Sequence, residues 1–125
     1  MEILLVGAGG FLGANCRYLL VSALAARLGA SFPYGTLITN VSGSFAIGAL
    51  LTVLLHHVTL DPAWRLLLVV GFLGGYTTFS SYSFEALALA EQGQWLRSLA
   101  YVLGSNALSL AACFLGIALA RAVVR

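Results

Sequence analysis

Three clusters of neutral hydrogen-bonding side chains stand out in a chain that carries few charges. The first is Gly71-Phe-Leu-Gly-Gly-Tyr-Thr-Thr-Phe-Ser-Ser-Tyr-Ser83, where glycines precede a dense run of hydroxyls. The second is Ser98, Tyr101, Ser105 and Ser109, at steps of three, four and four, which place them on one face of a helix. Thr36, Thr39 and Asn40, with Ser42 and Ser44 around Gly43, form a third group. None of these is a nucleophile beside a base, a carboxylate pair or a Cys/His cluster, so an enzyme is not expected. Hydroxyls and amides donate to anions, whereas backbone carbonyls freed from a helix coordinate cations. Any single one of these residues could be packing glue between helices. A continuous hydroxyl stripe facing an Asn-bearing helix marks a polar pathway instead.

The elements that hold these groups follow from composition. Of 125 residues, 61% are hydrophobic and 8% are charged. A soluble domain carries about 25% charged residues, so most of this surface must face lipid. Gly35–Leu55, Leu66–Phe84 and Ser98–Ala120 contain no acid, arginine or histidine, and each approaches or exceeds the ~20 residues that cross a hydrocarbon core. Ile3–Ala26 is long enough but contains Arg17. The expectation is an all-α membrane protein, a single domain over 1–125 with four transmembrane helices at about 3–26, 35–56, 65–90 and 95–120. The third helix should break mid-membrane within Gly74–Ser83, a segment tolerated only where it is buried in protein or lines a cavity. Glu85 and Glu91 follow the break.

Three further features bear on the reading. Glu2 occupies the place of a basic leader region, so the first span is not expected to be a cleavable signal. Val6-Gly-Ala-Gly-Gly-Phe-Leu-Gly13 imitates a dinucleotide-binding glycine turn, but the ribose-binding acid and the soluble βαβ context are missing. Gly9-xxx-Gly13 and Gly10-xxx-Ala14 read better as close helix packing. Cys16 and Cys113 lie inside apolar spans and read as packing residues; His56-His57 reads as an interfacial pair. No nucleic-acid partner is expected.

Charge says little about orientation. With four spans, Arg65, Arg121 and Arg125 fall on one side, and Arg27 and Arg97 on the other, towards which Arg17 would snorkel. Orientation follows an excess of Lys and Arg in cytoplasmic loops, and three on each side leave none. A chain without that signal can insert both ways, and an antiparallel, dual-topology homodimer is the physical expectation.

These residues resemble the Fluc (CrcB) family of fluoride channels along essentially the whole chain. The resemblance is carried by Gly10-Phe-Leu-Gly-Ala-Asn-Cys-Arg-Tyr18, Tyr34-Gly-Thr-Leu-Ile-Thr-Asn-Val-Ser-Gly-Ser44 and, most specifically, Gly71 to Glu85. It implies passive, selective export of fluoride across the cell inner membrane, which relieves fluoride toxicity. It also implies an antiparallel homodimer in lipid with two pores, each lined by both subunits. By position, the pore aromatics are Phe79 and Tyr82, the pore amide is Asn40, and the polar track is Tyr101, Ser105 and Ser109. Thr36 and Glu85 fall on the pore flanks and Arg17 in an aqueous vestibule. A structural Na+, not transported, would be held by the carbonyls of Gly74 and Thr77. The family's usual second aromatic is Phe; Tyr82 keeps the electropositive ring edge and adds a hydroxyl.

Fluoride is small, strongly hydrated and a strong acceptor, so neutral donors that replace its water without trapping it suit its conduction. Two other readings compete. A small dual-topology, proton-coupled multidrug exporter needs a deep carboxylate, and only Glu85 could serve. A non-transporting assembly subunit would use the hydroxyl stripe as packing glue.

Overall fold

The structure, a computed structural model, describes residues 1–56 and 61–124. His57 and Arg125, which entered the interfacial pair and the charge count, lie outside the described residues. Five α-helices and one π-helix follow one another: α1 (Glu2–Leu28), α2 (Tyr34–His56), the π-helix Arg65–Leu73, α3 (Gly74–Tyr76), α4 (Phe79–Glu91) and α5 (Trp95–Val123). Four segments are long and apolar enough to cross a membrane: Glu2–Leu28, Tyr34–His56, Arg65–Glu91 and Trp95–Val123. The chain is a multi-pass membrane protein, as its shortage of charge required.

Local chemistry sets the ends. Gly29 ends α1 at φ 82°, a conformation that disfavours a side chain, and returns its N–H to the Ala25 carbonyl at 3.0 Å. Pro33 immediately precedes α2, and its carbonyl takes the Leu37 amide at 3.1 Å. Asp61 turns the chain into the third segment, its Oδ1 accepting the Ala63 N–H at 2.9 Å. Gly93, at φ 76°, makes the turn between α4 and α5.

The helices close on one another through glycine. α1 lies along the π-helix and α3. A Cβ at Gly9 would strike the Leu67 carbonyl, and one at Gly13 would strike the Phe72 carbonyl. From the other side, a Cβ at Gly75 would sit 2.6 Å from the Gly10 carbonyl and 3.2 Å from the Ala14 amide. The Gly9-xxx-Gly13 and Gly10-xxx-Ala14 pattern is therefore a packing surface. α2 and α5 form the most extensive pair, with Gly48 against the Cys113 carbonyl and Gly116 against the Phe45 carbonyl. The interior is thin: Tyr82, Ala86, Leu89 and Tyr101 form one cluster, flanked by Phe32, Leu37 and Val102. Large apolar side chains such as Phe11, Leu110 and Phe114 point outward, as lipid contact requires.

The third segment is interrupted inside the expected Gly74–Ser83 stretch, at its threonines rather than at its glycines. Gly71, Gly74 and Gly75 all stay helical, and the extended residues are Thr77 (φ −81°, ψ 156°) and Thr78 (φ −151°, ψ 116°). The cause comes from α2. The side-chain amide of Asn40 pairs with both backbone groups of Thr78, Nδ2 donating to its carbonyl and Oδ1 accepting its N–H, each at 2.8 Å. A primary amide thus supplies the donor and acceptor that an adjacent strand would supply. The helix stops at that pairing, while the glycines upstream serve close approach to α1.

Candidate functional site

Beside the interruption lies an open groove of about 480 Å³. Asn40, Gly43 and Ser44 line it from α2, Gly74, Thr77 and Thr78 from the break, Phe79 and Tyr82 from α4, and Ser105, Asn106 and Ser109 from α5. The fold thus brings together Asn40, Gly74, Thr77, Phe79, Tyr82, Ser105 and Ser109 from the sequence-based set. Phe79 is 77% exposed in the single chain, whereas Tyr82 is buried behind it, the ring centroids 5.3 Å apart. The Ser105 hydroxyl is the most telling group. The residue is only 7% exposed, lines the groove, and its Oγ has no hydrogen-bond partner. A buried hydroxyl without a partner costs roughly 1–3 kcal/mol, and this one sits just behind the groove wall.

Thr36, Tyr101 and Glu85 form a second constellation next to the first. Thr36 Oγ1 donates to Glu85 Oε1 and Tyr101 Oη to Oε2, both at 2.8 Å. The carboxylate therefore ties α2, α4 and α5 together through two neutral donors. Tyr101 is 1% exposed, and its hydroxyl is spent on Glu85. Ser98 is likewise spent, on the Ala86 carbonyl at 2.7 Å. Only the Ser105 and Ser109 part of the α5 stripe reaches the groove. A second cavity of about 470 Å³ lies on the Thr36–Glu85 side, lined also by Phe32, Tyr34 and Gln92. Aromatic rings link the two spaces: Phe79 to Tyr82, Tyr82 to Tyr101 at 5.4 Å, and Tyr101 to Phe32 at 5.4 Å and 80°. The Phe32–Tyr101 pair is edge-to-face and the other two are tilted, arrangements that aromatic quadrupoles favour.

Arg17 departs from the snorkelling expectation. Its Nη1 donates to the Thr77 carbonyl at 3.4 Å, so the guanidinium turns inward to the break. Gly74 also changes character there. The Thr78 amide, which would continue the helix onto the Gly74 carbonyl, goes to Asn40 Oδ1 instead. Thr78 caps α4, its Oγ1 accepting the Ser81 N–H at 3.2 Å.

Two working residues were not singled out from sequence. Thr78 holds the interruption and the cap, yet in sequence it is one hydroxyl among several. Asn106 lines the groove and donates to Tyr82 Oη at 2.9 Å. Its position between Ser105 and Ser109 was a signal, since a primary amide in an apolar span needs partners.

The whole chain has close relatives. It is 51% identical over 123 residues to a protein of Rhizobium meliloti (strain 1021) named fluoride-specific ion channel FluC, with 98% of each chain covered. A protein of the same name from Solibacter usitatus is 51% identical over 121 residues, covering 97% of this chain and 99% of that one. One from Roseiflexus sp. is 50% identical over 121 residues, with 97% and 98% covered. The family described as CrcB-like protein, Camphor Resistance (CrcB), matches residues 4–117, the span that contains the interrupted helix and every groove residue. On the groove, the break and this full-length match, the chain is a member of the CrcB-like family.

Proposed function

We propose that this protein is a passive, fluoride-selective channel of the cell inner membrane, formed by two antiparallel copies. The observation that carries the reading is the donor-lined groove beside the interrupted helix, with Ser105, whose buried hydroxyl has no partner, in its wall. Its lining includes hydroxyls, amides and aromatic edges but no acid, arginine or histidine. Such a surface replaces the hydration of a small anion without a fixed charge to trap it. Arg17, outside that lining, raises the local anion concentration. Phe79, Tyr82, Ser105, Ser109 and one remaining Asn40 hydrogen contact the ion; Tyr101, Thr36 and Glu85 flank its path. The relatives' names agree with this substrate. The exporter reading loses its carboxylate, because both Glu85 oxygens are already hydrogen-bonded.

A second copy completes the site. Asn15, Ser42, Ser80 and Asn106 are exposed on single-chain helices that lie in the apolar spans. Polar side chains facing lipid are costly, and a partner copy packed over them or over the exposed Phe79 removes that cost. The antiparallel pairing rests on the balance of arginines between the two sides, and gives two pores per dimer.

The break, placed mid-membrane in this reading, fits a structural sodium ion. Gly74 is exposed and its carbonyl has lost the Thr78 amide, whereas the Thr77 carbonyl accepts from the Arg17 guanidinium at 3.4 Å, which must turn aside for a cation to bind there. Backbone oxygens from two chains suit a hard monovalent cation. When bound, the ion neutralises converging carbonyl dipoles and ties the copies together.

The deciding experiment is efflux from liposomes holding the purified protein, with fluoride and chloride compared side by side. Rapid, proton-independent fluoride loss with little chloride loss is the expected result. Saturable, proton-coupled transport, or no flux, overturns the reading.

A further inference from the structure

The Tyr82–Asn106 contact has a direction that the geometry determines. Asn106 Nδ2 lies 2.7 Å from the Val102 carbonyl and 2.9 Å from Tyr82 Oη. A carbonyl oxygen only accepts, so the amide cannot be flipped to place its own oxygen there. The nitrogen has two hydrogens, and the Val102 carbonyl takes one. The second goes to Tyr82, whose phenol oxygen must then accept. The phenolic proton is left over, and among the described residues no acceptor takes it. Tyr82 is nearly buried and lines the groove with Asn106, so that proton has only the groove to serve.

From this we infer that Asn106 is a positioning residue which converts Tyr82 into a hydrogen-bond donor to the conducted anion. Accepting a hydrogen bond polarises the phenol and strengthens its own O–H as a donor. A phenylalanine at 82 offers only a weak ring edge; the Tyr82–Asn106 pair adds a full donor between Phe79 and Ser105. The added donor favours the stronger acceptor among halides, so the pair raises fluoride selectivity as well as flux. The inference rests on the channel reading above.

The test is a double-mutant cycle of Tyr82→Phe and Asn106→Ala in liposome efflux, with fluoride and chloride measured on the same preparations. Each single variant should lower fluoride efflux and the fluoride-to-chloride ratio by roughly three- to tenfold, the loss expected from one donor to a charged partner. The double variant should be no worse than the worse single, because both remove the same proton. An effect of Asn106→Ala that persists undiminished in the Tyr82→Phe background assigns Asn106 to helix packing and overturns the inference. So does a Tyr82→Phe channel with unchanged flux and ratio. Where Asn106→Ala fails to assemble, Tyr82→Phe alone decides, since it removes a single oxygen. A native protein that passes no fluoride rejects the channel reading itself, whereas native flux with silent variants rejects only the role of this pair.

Discussion

Ser105 and Glu85 differ in their hydrogen-bond partners, and the difference sets what a substitution at each should do. The Ser105 hydroxyl has no protein partner, so its removal orphans no other group. Ser105→Ala should leave the thermal stability of the detergent-solubilised protein unchanged or slightly raised, while fluoride efflux falls about three- to tenfold. Adding Ser109→Ala should deepen that loss; an unchanged flux in the pair would remove α5 from the pore. Glu85 behaves in the opposite way. Thr36→Val or Tyr101→Phe each takes one neutral donor from a carboxylate that joins three helices. Either change should destabilise the fold by about 1.5–3 kcal/mol, seen as a lower melting temperature whether or not flux changes.

At the scale of elements, the interruption is in part a tertiary product. Asn40 supplies both a donor and an acceptor to Thr78, adding a tertiary hold to the local N-cap that Thr78 makes for α4. Asn40→Leu leaves the Thr78 N–H and C=O unpaired or lets the helix run through. The expected outcome is a loss of about 2–4 kcal/mol together with abolished flux; normal flux in this variant would show that the break does not need the amide. The glycine seam makes a different demand. A Cβ at Gly13 would meet the Phe72 carbonyl and lie 2.9 Å from the Tyr76 amide, both rigid backbone. Gly13→Val should therefore prevent α1 from seating on the π-helix, with loss of folded protein in detergent chromatography.

For the whole molecule, the proposed dimer and its sodium ion are tested without reference to flux. Protein stripped of sodium should dissociate or lose thermal stability, and sodium should restore it, as read by size-exclusion chromatography without any flux assay. A dimer indifferent to sodium would reject the ion's structural role. With Arg17 turned inward, three arginines stand against two, an excess too small to fix orientation, and mixed insertion of a C-terminal reporter fusion is expected. Two lysines added to one side should bias it, whereas a single-sided signal from the unmodified chain would rule out dual topology.

The sequence by itself determined the solvent and the spans, because hydrophobic length and scarce charge are properties of composition that no tertiary contact can reverse. It also showed that the third segment is unusual and that Gly9 and Gly13 suit close packing, since small residues at helical spacing have few other uses in lipid. The sequence bracketed the break within Gly74–Ser83, but only the tertiary structure decided the residues: the Asn40 amide from another helix pairs with Thr78. Partner choice was equally illegible. Tyr101 and Ser105 occupy the same stripe in sequence, yet the fold sets Glu85 against one and leaves the other unpartnered. Arg17 turned towards Thr77 and Asn106 towards Tyr82 for the same reason. A polar side chain in an apolar medium goes to the nearest complementary group, and only the packed helices decide which group that is.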